Sequence, residues 1–191
     1  MEYKEKILKE LQKVKRVGIN DLIDWLIKSD YFTAPASTKF HCGYKGGLAE
    51  HSYKVYRIYK KLFETFNINV DESSLIICGI LHDVCKIDFY TTEKRNKKVD
   101  GKWVSVDQYV VEDHEPLGHG SKSIILLSRY IKLTDFETYS ILWHMGRPSD
   151  FVESLSYEAA MEKIPTAVML HIADNMSSKL FESTIKVKGV N

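Results

Sequence analysis

Three cysteines in 191 residues are too few for a disulfide framework, and their number is odd. Cys78 and Cys85 lie on one expected helix and read as buried free thiols, which fits a reducing compartment. No apolar run approaches the roughly 18 residues a membrane span needs. The N-terminus, Met1-Glu2-Tyr3-Lys4-Glu5-Lys6, lacks the apolar segment of a signal peptide. The expectation is a cytoplasmic protein with no membrane partner. Excess charge is missing too. A net charge of +1 gives no global electrostatic case for binding a long nucleic acid and leaves only local basic patches. Internal repeats and low-complexity segments are absent as well.

What is present is ordinary globular material, 44% hydrophobic and 28% charged, at a length that suits one domain spanning 1–191. Ile7, Leu8, Leu11 and Val14 repeat with helical spacing, and a second helix carries Leu22, Ile23, Trp25, Leu26 and Ile27, with Asn20 as its expected cap. Together they form an N-terminal helical extension over 1–30. Periodicity then vanishes through a long loop marked by Pro35, Gly43, Gly46 and Gly47, and loops of that length are often functional.

From Leu48 the helical pattern resumes. His51 shares a face with Val55, Ile58 and Leu62 and should point inward. A helix apolar almost all round is expected over 71–86. The stretch 87–111 changes character, and Val99-Asp100-Gly101-Lys102 signals a two-residue hairpin. Pro116 precedes a further helix. Thr134 or Asp135 caps another that ends near His144, where Gly146 and Pro148 stop it. A short helix is expected around Tyr157 to Met161, and Pro165 opens the last, from Thr166 to Leu180. The fold class is therefore all-α, with about seven helices and one small β-hairpin inserted around 87–111.

The chemistry gathers on Leu81-His82-Asp83-Val84-Cys85-Lys86. A histidine and an aspartate at the end of the apolar run 75–81 are costly to bury unless something coordinates them. They have company in Gly46-Gly47-Leu48-Ala49-Glu50-His51 upstream, and in Gly118-His119, Trp143-His144 and Ala173-Asp174 downstream. Asp174 interrupts the apolar stripe of the last helix, where a carboxylate needs a metal or a cationic partner.

In that order, His51, then His82-Asp83, then Asp174, the sequence resembles the HD-domain superfamily of metal-dependent phosphohydrolases. The strings Gly-Gly-Leu-Ala-Glu-His-Ser, Leu-His-Asp-Val-Cys-Lys and His-Ile-Ala-Asp-Asn-Met carry the likeness, over about 38–180. In flavour it is similar to the HD domain of bacterial 3′→5′ exoribonucleases. The resemblance implies an HD-type helical fold in which His51, His82, Asp83 and Asp174 hold one divalent cation. His119 and His144 would complete a second site, with Asp83 bridging. The donor set suits one or two ions of Mn, Fe, Ni, Co or Zn, with Mg a further option. Such ions activate water to hydroxide at neutral pH and stabilise charge growing on a phosphoryl group. Asp83 and Lys86 are the catalytic candidates, and Lys86 can neutralise a phosphate oxygen. The family usually shows glycine where this chain has Cys85.

Lys86, Lys45 and Arg147 are candidate substrate contacts, with Arg57 and His41 beside them; a plain surface role stands as the alternative for Lys45 and His41. His114 reads as a solvated loop residue or a proton shuttle, and His171 as support for Asp174 or as core. Lys94-Arg95-Asn96-Lys97-Lys98 reads as a solvated hairpin arm. Phe89 and Tyr90 either wall the pocket or pack under the hairpin. The expected reaction is hydrolysis of a phosphoester in a nucleotide, cyclic nucleotide or short oligonucleotide. An exoribonuclease reading is weakened by the near-neutral charge, and by two short helices standing where those enzymes carry an RNA-binding OB-fold. Two other classes remain open: a di-iron oxygenase of HD type and a non-catalytic nucleotide-binding module. The oligomeric state is not legible.

Overall fold

Every residue from Ser74 to Leu81 is buried, and helices from before and after it in sequence pack against this stretch. The computed structural model describes residues 2–38, 41–99 and 101–182. Its α-helices are α1 (Glu2–Leu11), α2 (Ile19–Lys28), α3 (Gly47–Thr65), α4 (Glu72–Leu81), α5 (His119–Ser128), α6 (Asp135–Leu142), α7 (Phe151–Lys163) and α8 (Val168–Met176). Strands β1 (Tyr90–Val99) and β2 (Lys102–Val111) pair antiparallel as a hairpin, the only sheet among the described residues. The mostly-α class with a small β insertion is what the structure shows. No helix among the described residues is long and apolar enough to cross a membrane.

Helix α3 packs against α4 and α8, and α5 packs against α6. Two glycines inside helices permit close approaches between them. A Cβ on Gly79 would lie 2.6 Å from Tyr56 Cα, so α4 meets α3 nearly backbone to backbone. One on Gly120 would lie 2.2 Å from Leu142 O, which draws α5 onto the end of α6. The N-terminal helices are tied in through Glu137, which is fully buried. Its carboxylate accepts from Arg16 Nη1 at 2.6 Å and Ser74 Oγ at 2.7 Å, and closes a capping box with Thr134. The expected cap at Thr134 is therefore present.

Three expectations need correction. The helix expected over 71–86 stops at Leu81, and a 3₁₀ turn over Val84–Lys86 follows. Its terminal carbonyls find side-chain donors instead of a further turn. Tyr31 Oη donates to Ile80 O at 2.7 Å, and His82 Nδ1 to Gly79 O at 3.0 Å. Cys78 and Cys85 are thus both buried but not on one helix. Helix α2 begins at Ile19 with Gly18 as its N-cap, at φ 85°, and Asn20 lies inside it. The short helix expected near Tyr157 is the 13-residue α7, started by Asp150, whose carboxylate accepts from Glu153 N. In the hairpin turn, Gly101 has φ 80°, and Asp100 lies outside the described residues.

Candidate metal centre

The site is built where helix ends meet. His51 comes from the first turns of α3, His82 and Asp83 follow the end of α4, and His119 opens α5. His144 lies just past α6, and Asp174 is on α8. Helix C-termini leave carbonyls without intrahelical partners, and two of these aim histidines. His82 Nδ1–H donates to Gly79 O at 3.0 Å, and His144 Nδ1–H to Ile141 O at 2.7 Å. A carbonyl can only accept, so the proton sits on Nδ1 and the Nε2 lone pair points the other way.

His51 is fixed by a different partner. Its Nδ1–H donates to Glu182 Oε2 at 2.8 Å, and the other carboxylate oxygen of Glu182 accepts from Ser177 Oγ at 2.7 Å. A π turn over Ser177–Phe181 brings Glu182 back onto α3. Nothing in the sequence pattern pointed to Glu182, which lies beyond the last apolar turn.

The Nε2 atoms of His51, His82 and His144 are all buried and have no hydrogen-bond partner. All three face Asp83. His51 Nε2 and His82 Nε2 stand 3.6 and 3.5 Å from Asp83 Oδ2, while His144 Nε2 is 3.5 Å from Oδ1. Asp174 Oδ1 adds a carboxylate 3.3 Å from His51 Nε2. Three unpartnered imidazole nitrogens converging on one carboxylate fit a divalent cation, since each buried nitrogen is otherwise unsatisfied. The two oxygens of Asp83 thus face different imidazoles. The donor atoms of His51, His82 and Asp83 lie within 4.8 Å of one another, as do those of Asp83, Cys85 and His119.

Charge follows from this packing. Burial disfavours an ionised Asp83, but Lys86 and the surrounding histidines win, holding its carboxyl well below the usual range. The Lys86 ammonium sits 2.6 Å from Asp83 Oδ2 and is itself raised by that partner against the pull of burial. Burial pushes His82 down to about 4. His51 is opposite: burial disfavours its charge, yet Asp174 and Glu182 outweigh this and lift it to about 9.

Beside Asp83 opens a cavity of about 220 Å³, walled by His41, Lys86, His119, His144, Asp174 and Lys179 among others. His171 also lines it, with Nδ1 bonded to His144 O at 2.8 Å. Lys179 was not singled out from the sequence. Lys45 is exposed and lines a separate groove against the hairpin with Lys97 and Tyr109. Arg147 pairs with Glu158 at 2.7 Å and lines an adjoining cavity that shares His119 and Met145 with the first. Arg57 lies on the far side of α3, near Glu10 and Lys60. His114 is exposed beside Glu112. Phe89 lies edge-on to His119, with ring centroids 5.9 Å apart, and Tyr90 Oη donates to Ala36 O.

A family model of the HD domain matches residues 48–179, a span that contains all six of these histidine and aspartate donors and leaves Glu182 outside. No curated protein and no solved structure matches the chain.

Proposed function

The chain belongs to the HD-domain family, and we propose that it is a metal-dependent phosphohydrolase acting on a small phosphoester, such as a nucleotide, cyclic nucleotide or short oligonucleotide. The observation that carries this reading is the convergence of the three unpartnered Nε2 atoms on Asp83. His51, His82, Asp83 and Asp174 would hold one cation, and Asp83, His119 and His144 would hold a second. A divalent cation bound there supplies Lewis acidity toward a phosphoryl oxygen and lowers the pKa of nearby water.

The chain's own residues supply the rest. Lys86 and Lys179 put two ammonium groups on the cavity wall, where a phosphate dianion would be neutralised. Lys86 is pre-positioned by its bond to Asp83, so it stays charged although buried. His41, pushed down to about 4 by burial and by neighbouring positive groups, remains neutral at physiological pH and can take or give a hydrogen bond at the rim. At about 220 Å³ the cavity falls below the ~300–1,000 Å³ usual for enclosing a whole drug-sized ligand. That supports a phosphoryl group seated inside with its leaving group reaching the mouth.

The test is a panel of Mn²⁺, Fe²⁺, Co²⁺, Ni²⁺, Zn²⁺ and Mg²⁺ against bis-p-nitrophenyl phosphate, nucleotides and short oligonucleotides. Metal-dependent phosphoester cleavage that is lost in Asp83→Asn is expected. Oxygen uptake by the ferrous protein, without cleavage under any metal, would overturn the reading in favour of oxygenase chemistry.

A further inference from the structure

Cys85 stands apart from the other cysteines in what surrounds it. Cys42 receives Tyr44 Oη, and Cys78 is buried inside α4 near Tyr59 and Ser140. Cys85 Sγ lies instead 3.4 Å from His119 Nδ1 and 3.9 Å from Asp83 Oδ1. Its backbone N–H donates to the buried hydroxyl of Ser123 at 3.2 Å, which pins the 3₁₀ turn against α5 and fixes the direction of the thiol.

A purely structural cysteine is satisfied by apolar neighbours. This one faces a carboxylate and an imidazole. Donors on a tetrahedral ion, with bonds of about 2.0–2.3 Å, stand about 3.5 Å apart. The two separations, 3.4 and 3.9 Å, bracket that spacing. Asp83 Oδ1, the oxygen that Cys85 faces, is also the one that His144 Nε2 approaches at 3.5 Å, so a fourth donor is at hand.

We propose that Cys85, Asp83 and His119 form a sulfur-bearing metal site, so that the second cation of this protein is bound through a thiolate. Binding displaces the thiol proton to solvent and leaves the sulfur anionic on the ion, with no change of oxidation state. A thiolate turns the selectivity of the site toward Zn²⁺, Fe²⁺, Co²⁺ or Cd²⁺ and away from Mn²⁺ and Mg²⁺, which prefer oxygen donors. The inference rests on the reading of Asp83 as a metal ligand, but not on the reaction catalysed.

Cobalt titration of the metal-free protein tests it, with bound ions counted and the near-ultraviolet spectrum recorded. The second equivalent of Co²⁺ should bring a sulfur-to-cobalt charge-transfer band. Cys85→Ser should abolish that band, keep the first equivalent, and lower the preference for Cd²⁺ over Mn²⁺ at the second position by about tenfold or more. Cys42→Ser should leave the band in place. Wild-type protein that binds two cobalt ions without the band overturns the thiolate site alone, as does a band that survives in Cys85→Ser. Failure to bind cobalt at all overturns this site together with the metal reading of Asp83. Loss of phosphoester cleavage with the band intact touches only the proposed reaction.

Discussion

Glu182 Oε2 lies 2.8 Å from Nδ1 of His51, a bond between residues 131 positions apart in sequence. It does for His51 what helix-end carbonyls do for His82 and His144: it holds the proton on Nδ1 and turns Nε2 inward. Because the acceptor is an anion, it also makes the imidazole more basic and a stronger donor to a cation. Glu182→Gln keeps the shape but removes the charge. Metal affinity should fall by about 10–100-fold with little loss of helicity, measured by competition against a chelator above about pH 9, where no proton competes for His51. Unchanged affinity would mean that Glu182 only packs.

Asp83 and Lys86 form a buried pair, so removing either member alone has two consequences. Asp83→Ala should abolish metal binding and also strand the Lys86 ammonium, at a cost of about 3–5 kcal/mol. Adding Lys86→Met should restore most of the lost Tm without restoring metal binding. Thermal melts of the single and double variants, with metal content counted in each, separate the two effects. A double variant no more stable than Asp83→Ala contradicts the pairing.

Gly79 sets the distance between α3 and α4, and through it the distance between His51 and His82. Gly79→Ala places a methyl group 2.6 Å from Tyr56 Cα, where backbone must yield. Overpacking of this kind costs about 1–3 kcal/mol, and the displaced helices should weaken metal binding as well. Gly101→Ala is the comparison, because nothing lies within 4 Å of its Cβ position and only its positive φ opposes the change. Metal affinity in Gly101→Ala should stay at the wild-type level while it drops in Gly79→Ala.

The legible and illegible parts of the site divide on a physical line. His51 was readable because it shares a helical face with Val55, Ile58 and Leu62, a pattern local to α3. Asp174 was readable for the same reason on α8. The end of α4 at Leu81 was not, because it depends on Tyr31 reaching Ile80 O from another part of the chain. Glu182 gave no signal, since its placement needs a π turn that no periodicity encodes. Cys85 could be seen to depart from the family pattern, but only folding shows that its sulfur faces His119. Lys45 sits near a motif residue in sequence, yet the chain carries it to another groove. Proximity along the chain is a weak guide once a helix end turns.

Proton competition at His51 gives the pH dependence. In the metal-free protein Asp174 and Glu182 raise His51 to about 9, above the ordinary 6.5, so it is protonated at neutral pH. That charge stabilises the metal-free fold fully below about 6.5, and the contribution is lost as pH rises through about 9. An ion needs the same Nε2 atom and must expel the proton. The apparent affinity for the first cation should therefore rise by about tenfold per pH unit from 6.5 toward 9 and then level off. His144, also raised by Asp83 against the effect of burial, should give the second cation a rise of its own, whereas His82, at about 4, is already neutral across this range. Chelator competition at stepped pH measures the slope, best in Cys85→Ser, where no thiol proton contributes. In Glu182→Gln the plateau should move to lower pH, because one of the two carboxylates that raise His51 is gone. A profile flat between 6.5 and 9 would show that the cation does not displace a proton from His51.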